Sequence, residues 1–340
     1  MGILDHWHPV LKSGELQRKP VAVKIAGQEI AVFRTASGGL GAVADACPHR
    51  RLKLSVGKVV GERLRCAYHG WSFDTGGQGE SPGTPKMSAC TTSFDIREEY
   101  GLVWVKARGS NVVFPDISMP GYLHICTLAH TIPAPLELAV DNFNEIEHSG
   151  TVHDTFGYDL DRMAEVAVRF EPTETTVRVI NVGPTKRLNR FFGLLLNVRR
   201  GDLFHDDWTT HFSPVYSVFD HWWTSPDGRR RSMVRWRLYI FFVPVDDRTT
   251  RVMSVTYAQS RYPGPAGCLR LVRWLLRGEI DREVTADVKM LHHMADFDPG
   301  IDGLKLSRFD KVLGLTRERI RKLYRGEGST PLPVTEATTP

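Results

Sequence analysis

Two short segments of the chain combine cysteine with histidine at spacings that suit metal binding. Cys47 and His49 are separated by one residue, and Cys66 and His69 are separated by two. Each pair can close a tight loop that offers one sulfur and one nitrogen. Together the loops provide the ligands of a [2Fe–2S] cluster in which two cysteines hold one iron and two histidines hold the other.

A structural zinc site is the alternative for the same four ligands. Zinc fingers usually pair cysteine with cysteine and histidine with histidine along the chain. Here each half is mixed and the two spacings differ, in the pattern C-x-H…C-x₂-H. The pattern therefore favours an iron–sulfur cluster of the Rieske type, which carries single electrons, over zinc.

A second pair of histidines, His148 and His153, follows an acidic segment. On an unbroken helix the two side chains would point about 140° apart. Residues 149–151, Ser-Gly-Thr, can end the helix and let His153 turn back toward His148. Two surface histidines would also explain the spacing, which is weak evidence when taken alone.

A late carboxylate can complete this second site. Apolar residues recur at steps of three and four over residues 266–294 and predict a long helix with one buried stripe. Asp287 lies on that stripe, where a carboxylate is unfavourable unless it is paired or bound to metal. Two imidazoles and one carboxylate form the facial triad that holds non-haem iron(II) and leaves positions open for dioxygen.

With both motifs in this order, the chain resembles the catalytic (α) subunit of the Rieske non-haem iron oxygenases. The resemblance covers most of the chain, from the cluster motif through Gly70-Trp71, over Asn142-x₂-Glu145-x₂-His148-x₄-His153, to the late aspartate. It implies ligands for two metal centres: Cys47, His49, Cys66 and His69 for the [2Fe–2S] cluster, and His148, His153 and Asp287 for a mononuclear iron. It also implies an α+β fold, with an N-terminal all-β Rieske domain and a helix-grip (START/Bet v1-like) antiparallel-sheet catalytic domain, and a homotrimer.

Glu145 departs from the family pattern. Three residues before the first iron histidine the family usually has an aspartate that bridges a cluster histidine of the neighbouring subunit to the iron histidine. Glutamate is longer by one methylene but is still an acceptor when ionised. We expect a link from His69 through Glu145 to His148 across a subunit interface. Glu147 is the alternative bridge, and a surface role for Glu145 is the alternative to any bridge.

Ala286 is a second departure, because an acidic residue often precedes the late ligand in the family. The assignment of Asp287 is therefore weaker than that of the histidines. Three nearby acidic residues compete with it: Asp281, Glu283 and Asp296.

A chain of 340 residues predicts about two domains. Short β-branched runs between Val21 and Val43, broken at Gly27-Gln28 and at residues 37–39, predict antiparallel hairpins that carry the cluster loops. Residues 101–106 predict the closing strand. We place the first domain at 1–115, the catalytic domain at 116–325 and a tail that we expect to be disordered at 326–340.

The second domain is predicted to be an antiparallel sheet flanked by helices. A helix is predicted over residues 136–148. Strands are predicted over residues 165–170, 176–182, 209–219, 234–243 and 251–259. Aromatic residues on these strands are candidates for a substrate pocket, although such residues are more often core: Phe156, Phe191, Phe204, Trp208, Phe212, Trp222 and Trp236.

Composition limits the location and the partners. The sequence has no apolar run long enough to span a bilayer and does not begin with a secretory pattern, so we expect a cytoplasmic protein without membrane contact. Cys90, Cys126 and Cys268 are expected to be free thiols. The net charge of +5 is mild and spread out, which argues against nucleic-acid binding.

The family resemblance implies that dioxygen is activated at the iron with electrons from the cluster. The chain has no G-x-G-x-x-G motif after a strand, so electrons from NAD(P)H must arrive through a separate reductase or ferredoxin. Its size is similar to that of members that monohydroxylate a small organic substrate or demethylate it oxidatively. Dihydroxylation or desaturation at the same site is the alternative, and a non-catalytic Rieske electron carrier is a more distant one.

Overall fold

The N-terminal third of the chain is built from short antiparallel strands. The computed structural model describes residues 1–260 and 267–327. Three sheets have the strand orders β1-β11-β10, β2-β3-β4 and β5-β6-β7-β8-β9. Their strands are β1 His8–Lys12, β2 Val21–Ile25, β3 Gln28–Arg34, β4 Leu40–Ala44, β5 Lys58–Val60, β6 Arg63–Arg65, β7 Ser72–Phe73, β8 Gln78–Glu80, β9 Ala89–Cys90, β10 Phe94–Glu99 and β11 Leu102–Ala107.

Turn residues set the first hairpin. Ala26 and Gly27 both have positive φ, at 46° and 83°, between β2 and β3. A two-residue loop of this kind matches the twist of the flanking strands. The predicted breaks near residues 27 and 37–39 are confirmed, and the predicted closing strand is β11, shifted by one residue.

The rest of the chain forms one large antiparallel sheet with helices against it. The sheet has seven strands in the order β12-β18-β17-β16-β15-β14-β13. The strands are β12 Leu123–Ile132, β13 Ala167–Pro172, β14 Thr176–Pro184, β15 Leu203–Phe212, β16 Val215–Thr224, β17 Val234–Asp246 and β18 Thr249–Ser260. The helices are α1 Leu136–Phe143, α2 Arg190–Leu196, α3 Arg273–His292 and α4 Lys311–Arg319, and a π-helical turn covers Ile320–Tyr324. The predicted α+β class, an all-β domain followed by an antiparallel-sheet domain, is confirmed.

The prediction of one strand over residues 209–219 is wrong. The structure has two strands there, because Ser213 and Pro214 form the turn between β15 and β16. Proline cannot donate to a sheet ladder and is excluded from central strands. Strand β12 and helices α2 and α4 were not predicted.

The predicted helix over residues 136–148 is too long, since α1 ends at Phe143. The next residue, Asn144, is fully buried and is bonded to the sheet instead of continuing the helix. Its Nδ2 donates to Oγ1 of Thr210 at 3.0 Å, and its Oδ1 accepts from Oγ of Ser217 at 2.9 Å. The late helix begins at Arg273 rather than at residue 266, and residues 261–266 lie outside the described part of the chain.

Both faces of the large sheet are covered. One face packs against α1, α3 and α4 in the main hydrophobic core, where Phe242 meets Phe143. The opposite face packs against the N-terminal strands, where the ring of Trp104 lies 5.0 Å from that of Phe241 at 90°. The run 238–243 in β17 is therefore apolar on both sides. The site described below lies on the helix side of the sheet.

The two ends of the described chain meet in a buried polar cluster. Nε2 of His8 lies 2.7 Å from the hydroxyl of Tyr324, and Nδ1 of His6 lies 2.9 Å from Oγ of Ser213. Nε2 of His6 lies 3.2 Å from the carbonyl oxygen of Tyr324. These contacts connect the first strand to the π-helical turn and to the β15–β16 hairpin.

Residues 108–122 connect the N-terminal sheets to the large sheet. Our boundary near residue 115 lies in this connection and stays a proposal. The tail predicted over 326–340 lies outside the described residues beyond residue 327. Among the described helices, none combines the length and apolar character needed to cross a bilayer.

Candidate functional site

The cysteine and histidine motifs lie on two adjacent loops of the N-terminal domain. Both thiols are buried, and both imidazoles are partly exposed, with ring centroids 4.4 Å apart. Each loop is closed by its own backbone: the amide of Cys47 donates to the carbonyl of Leu52 at 2.9 Å, and that of Cys66 donates to Trp71 at 2.7 Å. The ring of His49 also stacks on the indole of Trp71, with centroids 4.7 Å apart.

The donor chemistry of these loops fits an iron–sulfur cluster. Burial raises the pKa of the Cys47 thiol, and the neighbouring thiol of Cys66 raises it further. Neither cysteine is in a disulfide. A thiol whose pKa is raised by burial, like that of Cys47, becomes favourable as a thiolate when a cation binds it. The structure places the two predicted thiols beside each other and the two predicted imidazole rings 4.4 Å apart on adjacent loops.

The second predicted site converges on three atoms. Nε2 of His148 lies 3.0 Å from Nε2 of His153, and Oδ1 of Asp287 lies 3.3 Å and 3.5 Å from these two nitrogens. His148 lies in the 3₁₀ turn Glu147–Gly150, and His153 follows in a loop. Asp287 projects from the buried side of α3. The helix expected to end at residues 149–151 already ends at Phe143, and the 3₁₀ turn and the loop after it bring both imidazoles to one carboxylate.

The electrostatics of this group suit a cation. Burial lowers the pKa of His148, but the carboxylates of Asp287 and Glu145 more than offset it and raise the pKa to about 10. Oδ1 of Asp287 is buried and makes no hydrogen bond within the described residues. Two imidazole nitrogens and one carboxylate oxygen are the donors that ferrous iron takes in a facial triad. These residues fit a mononuclear iron.

Glu145 contacts the far side of the His148 ring. Its Oε1 is hydrogen-bonded to Nδ1 of His148, and its Oε2 accepts the backbone amide of Glu147 at 2.7 Å. The side chain of Glu147 is exposed instead. Of the two glutamates considered from the sequence, Glu145 is the one whose side chain contacts an iron-site histidine.

Glu283 lies beside Nδ1 of His153, as Glu145 lies beside Nδ1 of His148. Its Oε2 lies 3.1 Å from Nδ1 of His153. Its Oε1 accepts the backbone amides of Asp154 and Thr155 at 3.0 and 2.9 Å. The sequence predicts Glu283 only as a competitor of Asp287. Its position one helical turn earlier on the same helix is the signal for its place beside His153.

The other competitors lie away from the three converging atoms. Asp281 pairs with His130 at 2.9 Å, and Asp296 is exposed.

Lys186 was missed by the sequence reasoning. Its Nζ donates to the carbonyl oxygens of Ser149, Gly150 and His153, with the first two at 3.1 and 3.3 Å. Burial lowers the pKa of this lysine. No sequence pattern marks it, because it follows β14 and reaches the loop only through the tertiary fold. Lys186 holds together the carbonyls of the loop that carries both histidines.

A pocket opens directly onto the three converging atoms. Of the seven aromatic candidates, Phe156 and Phe204 line it. Trp208, Phe212 and Trp236 lie in the core, Phe191 is exposed, and Trp222 stacks on His205. The apolar lining is Phe143, Phe156, Phe204, Phe219, Leu238, Ile240, Ile280 and Val284. Asp206 and His221, which the sequence did not single out, are also in the wall.

Two family models match the chain over separate ranges. The model described as Rieske [2Fe-2S] domain matches residues 6–96, and the one described as Vanillate O-demethylase oxygenase C-terminal domain matches residues 132–272. The first match contains the four cluster residues, and the second contains His148 and His153. Asp287 lies beyond both.

Curated relatives match over part of their length. Protein TIC 55, chloroplastic, of Pisum sativum is 29% identical over 190 residues, which are 51% of this chain and 34% of that protein. Methylxanthine N1-demethylase NdmA of Pseudomonas putida is 31% identical over 163 residues, which are 43% and 46% of the two chains. The matches thus span about a third to a half of these relatives.

Solved structures share the fold over nearly the whole chain. NdmA of Pseudomonas putida CBB5 with caffeine aligns with a TM-score of 0.74 at 23% identity, covering 95% of this chain and 91% of that one. At this identity the likeness describes the fold alone.

Proposed function

The chain belongs to the Rieske non-haem iron oxygenases, and from this premise we propose that it is the terminal oxygenase of a multicomponent system. It uses dioxygen and externally supplied electrons to monohydroxylate or oxidatively demethylate a small organic substrate. The observation that carries the proposal is the convergence of His148, His153 and Asp287 at the base of a largely apolar pocket.

In this proposal His148, His153 and Asp287 hold the mononuclear iron, and Cys47, His49, Cys66 and His69 hold the cluster. When bound, the iron supplies dioxygen activation with electrons from the cluster. The protein orients the imidazole rings that bind the metal. A carboxylate can only accept, so the hydrogen bond from Glu145 favours the tautomer of His148 that carries the proton on Nδ1 and leaves Nε2 free for metal. Oε2 of Glu283, at 3.1 Å from Nδ1 of His153, attracts a proton to that nitrogen in the same sense.

The pocket wall has a second task, which is to exclude water. The rings of Phe156 and Phe204 pack at 6.5 Å between centroids, and Ile280 and Val284 of α3 close the opposite side. A dry site strengthens every electrostatic interaction within it and protects reactive species from solvent. The substrate is held against the ligand triad by these apolar side chains.

We further propose that Glu145 bridges His69 of a neighbouring subunit to His148 in a homotrimer, and so links that subunit's cluster to the iron site. The side chains of Glu145 and His148 are both partly exposed, at 20% and 17%. Within the described chain, the ring of His69 contacts His49 and Tyr68 on the N-terminal domain. A carboxylate that is partly exposed and hydrogen-bonded to an iron-site histidine can also bind a histidine of a neighbouring subunit.

Electrons come from NAD(P)H through a separate reductase or ferredoxin in this proposal, and the protein works in the cytoplasm. Support comes from relatives whose names call them oxygenase components, such as chloroacetanilide N-alkylformylase of Rhizorhabdus wittichii, 27% identical over 65% of this chain and 62% of its own length.

Metal counting tests this function without a known substrate. The purified protein is expected to contain about three irons and two acid-labile sulfides per chain. The His153→Ala variant is expected to keep the visible spectrum of the cluster, contain about two irons and form no product with a reductase. The matched control, His293→Ala, changes an exposed histidine at the end of α3. Two irons in the unmodified protein would instead identify an electron carrier.

A further inference from the structure

Helix α3 carries three buried acidic residues that lie one turn apart. Glu279, Glu283 and Asp287 are spaced four residues apart and occupy one face of the helix. We call this face the acidic face of α3. Like charges at this spacing destabilise a helix, and a buried carboxylate is costly unless it is paired or bound to a cation. Each acid of the face therefore requires a partner that offsets its burial.

The partners lie on the loop that carries His153. Oδ1 of Asp287 lies 3.5 Å from Nε2 of His153. Oε1 of Glu283 accepts the backbone amide of Thr155 at 2.9 Å, and Oε1 of Glu279 accepts the hydroxyl of Thr155. From His153 to Thr155 the contacts move from Asp287 back to Glu279. The loop therefore runs antiparallel to α3 along the acidic face.

Glu279 differs from the other two acids in what it touches. Glu283 and Asp287 both line the pocket, whereas Glu279 is not among the described residues that form its wall. The side chain of Glu279 is hydrogen-bonded to the hydroxyl of Thr155 and to the guanidinium of Arg282. An effect of Glu279 on the metal ligands must therefore pass through one of these two partners.

The two partners of Glu279 differ in burial. The side chain of Arg282 is 61% exposed, and ion pairs with exposed arginines contribute little to stability. Thr155 is 3% exposed, and its buried hydroxyl would be unpaired without Glu279. An apolar residue of similar size at position 279 would avoid the cost of burying a charge. Stability alone therefore does not account for a carboxylate here, whereas a directed contact with Thr155 does.

The other polar contacts of the loop backbone do not fix its register. Lys186 binds three of its carbonyls, and Glu283 binds two of its amides. Backbone groups recur at every residue, so similar contacts can form again after the chain slips by one residue, or about 3.5 Å. The hydroxyl of Thr155 does not recur in this way, since neither neighbouring residue has one. The bond from Thr155 to Glu279 therefore selects one alignment of the loop on α3.

We propose that Glu279 is a positioning residue of the second metal site. By holding Thr155, it fixes the register of the loop on α3, and with it the distance between the imidazole of His153 and the carboxylate of Asp287. Glu279 itself touches neither metal nor substrate. This inference rests on the proposed function, because it concerns the metal that we propose for this site, and it adds a residue on which the geometry of that site depends.

Cobalt(II) is the probe for this inference, because imidazole and carboxylate donors that suit iron(II) also bind cobalt(II). The protein with its cluster loaded and oxidised is treated with a chelator to empty the mononuclear site and is then titrated with cobalt(II). Electron paramagnetic resonance reports the bound cobalt(II), since the oxidised [2Fe–2S] cluster is diamagnetic. The His153→Ala variant supplies the background from cobalt(II) bound elsewhere.

Thr155→Val removes the hydroxyl and keeps the shape of the side chain. It is expected to weaken cobalt(II) binding about fivefold, the factor that one net hydrogen bond represents, and to change the line shape of the cobalt(II) signal. Thr155→Ser keeps the hydroxyl and is expected to retain the affinity and the signal of the unmodified protein. Unchanged affinity in Thr155→Val, or an equal loss in Thr155→Ser, would overturn the inference.

Glu279→Leu removes the same hydrogen bond from the side of the helix. It is expected to weaken binding by a similar factor, and combining it with Thr155→Val should cause no further loss, because both changes remove one interaction. Losses that multiply in the double variant would contradict the assignment, since Glu279 would then act independently of Thr155. If Thr155→Val does not fold, Glu279→Leu decides alone, and unchanged cobalt(II) affinity in it would overturn the inference.

Arg282→Gln is the matched control, because it removes the exposed partner of Glu279 and leaves the bond to Thr155. Its cobalt(II) affinity is expected to equal that of the unmodified protein. A loss as large as that in Thr155→Val would assign the effect to the ion pair and overturn the inference.

Urea unfolding of the cobalt-free variants separates positioning from stability. A role in stability alone would lower the free energy of unfolding in Thr155→Val and leave the cobalt(II) affinity of the folded protein unchanged, which would overturn the inference. Failure of the inference is distinct from failure of the proposed function. If the unmodified protein bound no more cobalt(II) than His153→Ala, both would be overturned. If it bound cobalt(II) and the variants matched it, only the role of Glu279 would be.

Discussion

Oε2 of Glu283 lies 3.1 Å from Nδ1 of His153, on the side of the ring away from Asp287. Glu283 and Asp287 are one helical turn apart on α3, so a single helix supplies both the carboxylate proposed to hold the metal and the carboxylate that orients a ligand. Glu145 has the same relation to His148 from a different segment. Each imidazole thus has a glutamate oxygen beside its Nδ1.

Glu283→Gln is expected to weaken iron binding about tenfold, because an amide is a poorer acceptor for the imidazole N–H and outer carboxylates typically change metal affinity by this factor or more. The measurement is the iron retained against a graded series of chelator, with the cluster spectrum as an internal reference. Asp281→Asn on the exposed side of the same helix is the control and should match the unmodified protein. If both variants retained iron equally well, Glu283 would have no role in iron binding.

Glu145→Gln is expected to slow single-turnover oxidation of the cluster about tenfold while both metals remain bound, since the neutral side chain no longer links two imidazoles as an anion. Rapid-mixing absorbance at the cluster bands reports the rate. Glu147→Gln, two residues away and exposed, is the matched control. A normal rate in Glu145→Gln, or a slow rate only in Glu147→Gln, would show that Glu145 is not the bridge.

Lys186→Met is expected to reduce the free energy of unfolding by about 1–3 kcal/mol, because three backbone carbonyls lose a charged donor. The loss should be accompanied by lower iron occupancy, since these carbonyls belong to the loop that carries His148 and His153. Urea unfolding and iron analysis measure the two effects. Lys24→Met, which removes an exposed pair with Asp246, should change neither by much.

Stability is expected to fall in acid partly because of His8. Burial lowers its pKa from 6.5 to about 3, with the charge of His6 acting in the same direction. The unfolded chain therefore takes up the proton first, and stability is lost as the pH falls from about 6.5 toward about 3. Between pH 7.5 and 5.5 the loss from this residue is about 1.4 kcal/mol.

Urea unfolding of the unmodified protein and of His8→Asn at both pH values isolates this contribution. The variant should be less stable at pH 7.5 but should lose about 1.4 kcal/mol less on acidification. An identical pH dependence in the two proteins would mean that His8 does not titrate in this range. Burial lowers the pKa of His6 as well, so part of the acid sensitivity should remain in the variant.

Local spacing was sufficient to predict the metal motifs. C-x-H, C-x₂-H and H-x₄-H place their ligands within reach through chain connectivity alone, so the candidates could be named before any fold was known. Helical periodicity extended this to Asp287, because a carboxylate on a buried stripe requires a partner. The fold class followed from the same residues through the family resemblance.

The remaining parts of the site depend on contacts between distant segments. Glu283 and Asp281 are both acidic residues near Asp287, and only the packing of α3 decides which of them meets His153. Lys186 reaches its three carbonyls from the far end of β14. Asp206 and His221 lie side by side in the pocket wall only because strands β15 and β16 pair in one particular register. A shift of one residue in any of these strands would turn its side chain to the other face. The sequence by itself therefore determined which residues can bind metal. The tertiary structure decided which groups lie beside the metal ligands and which side chains line the pocket, because those relations are set by register and packing rather than by spacing along the chain.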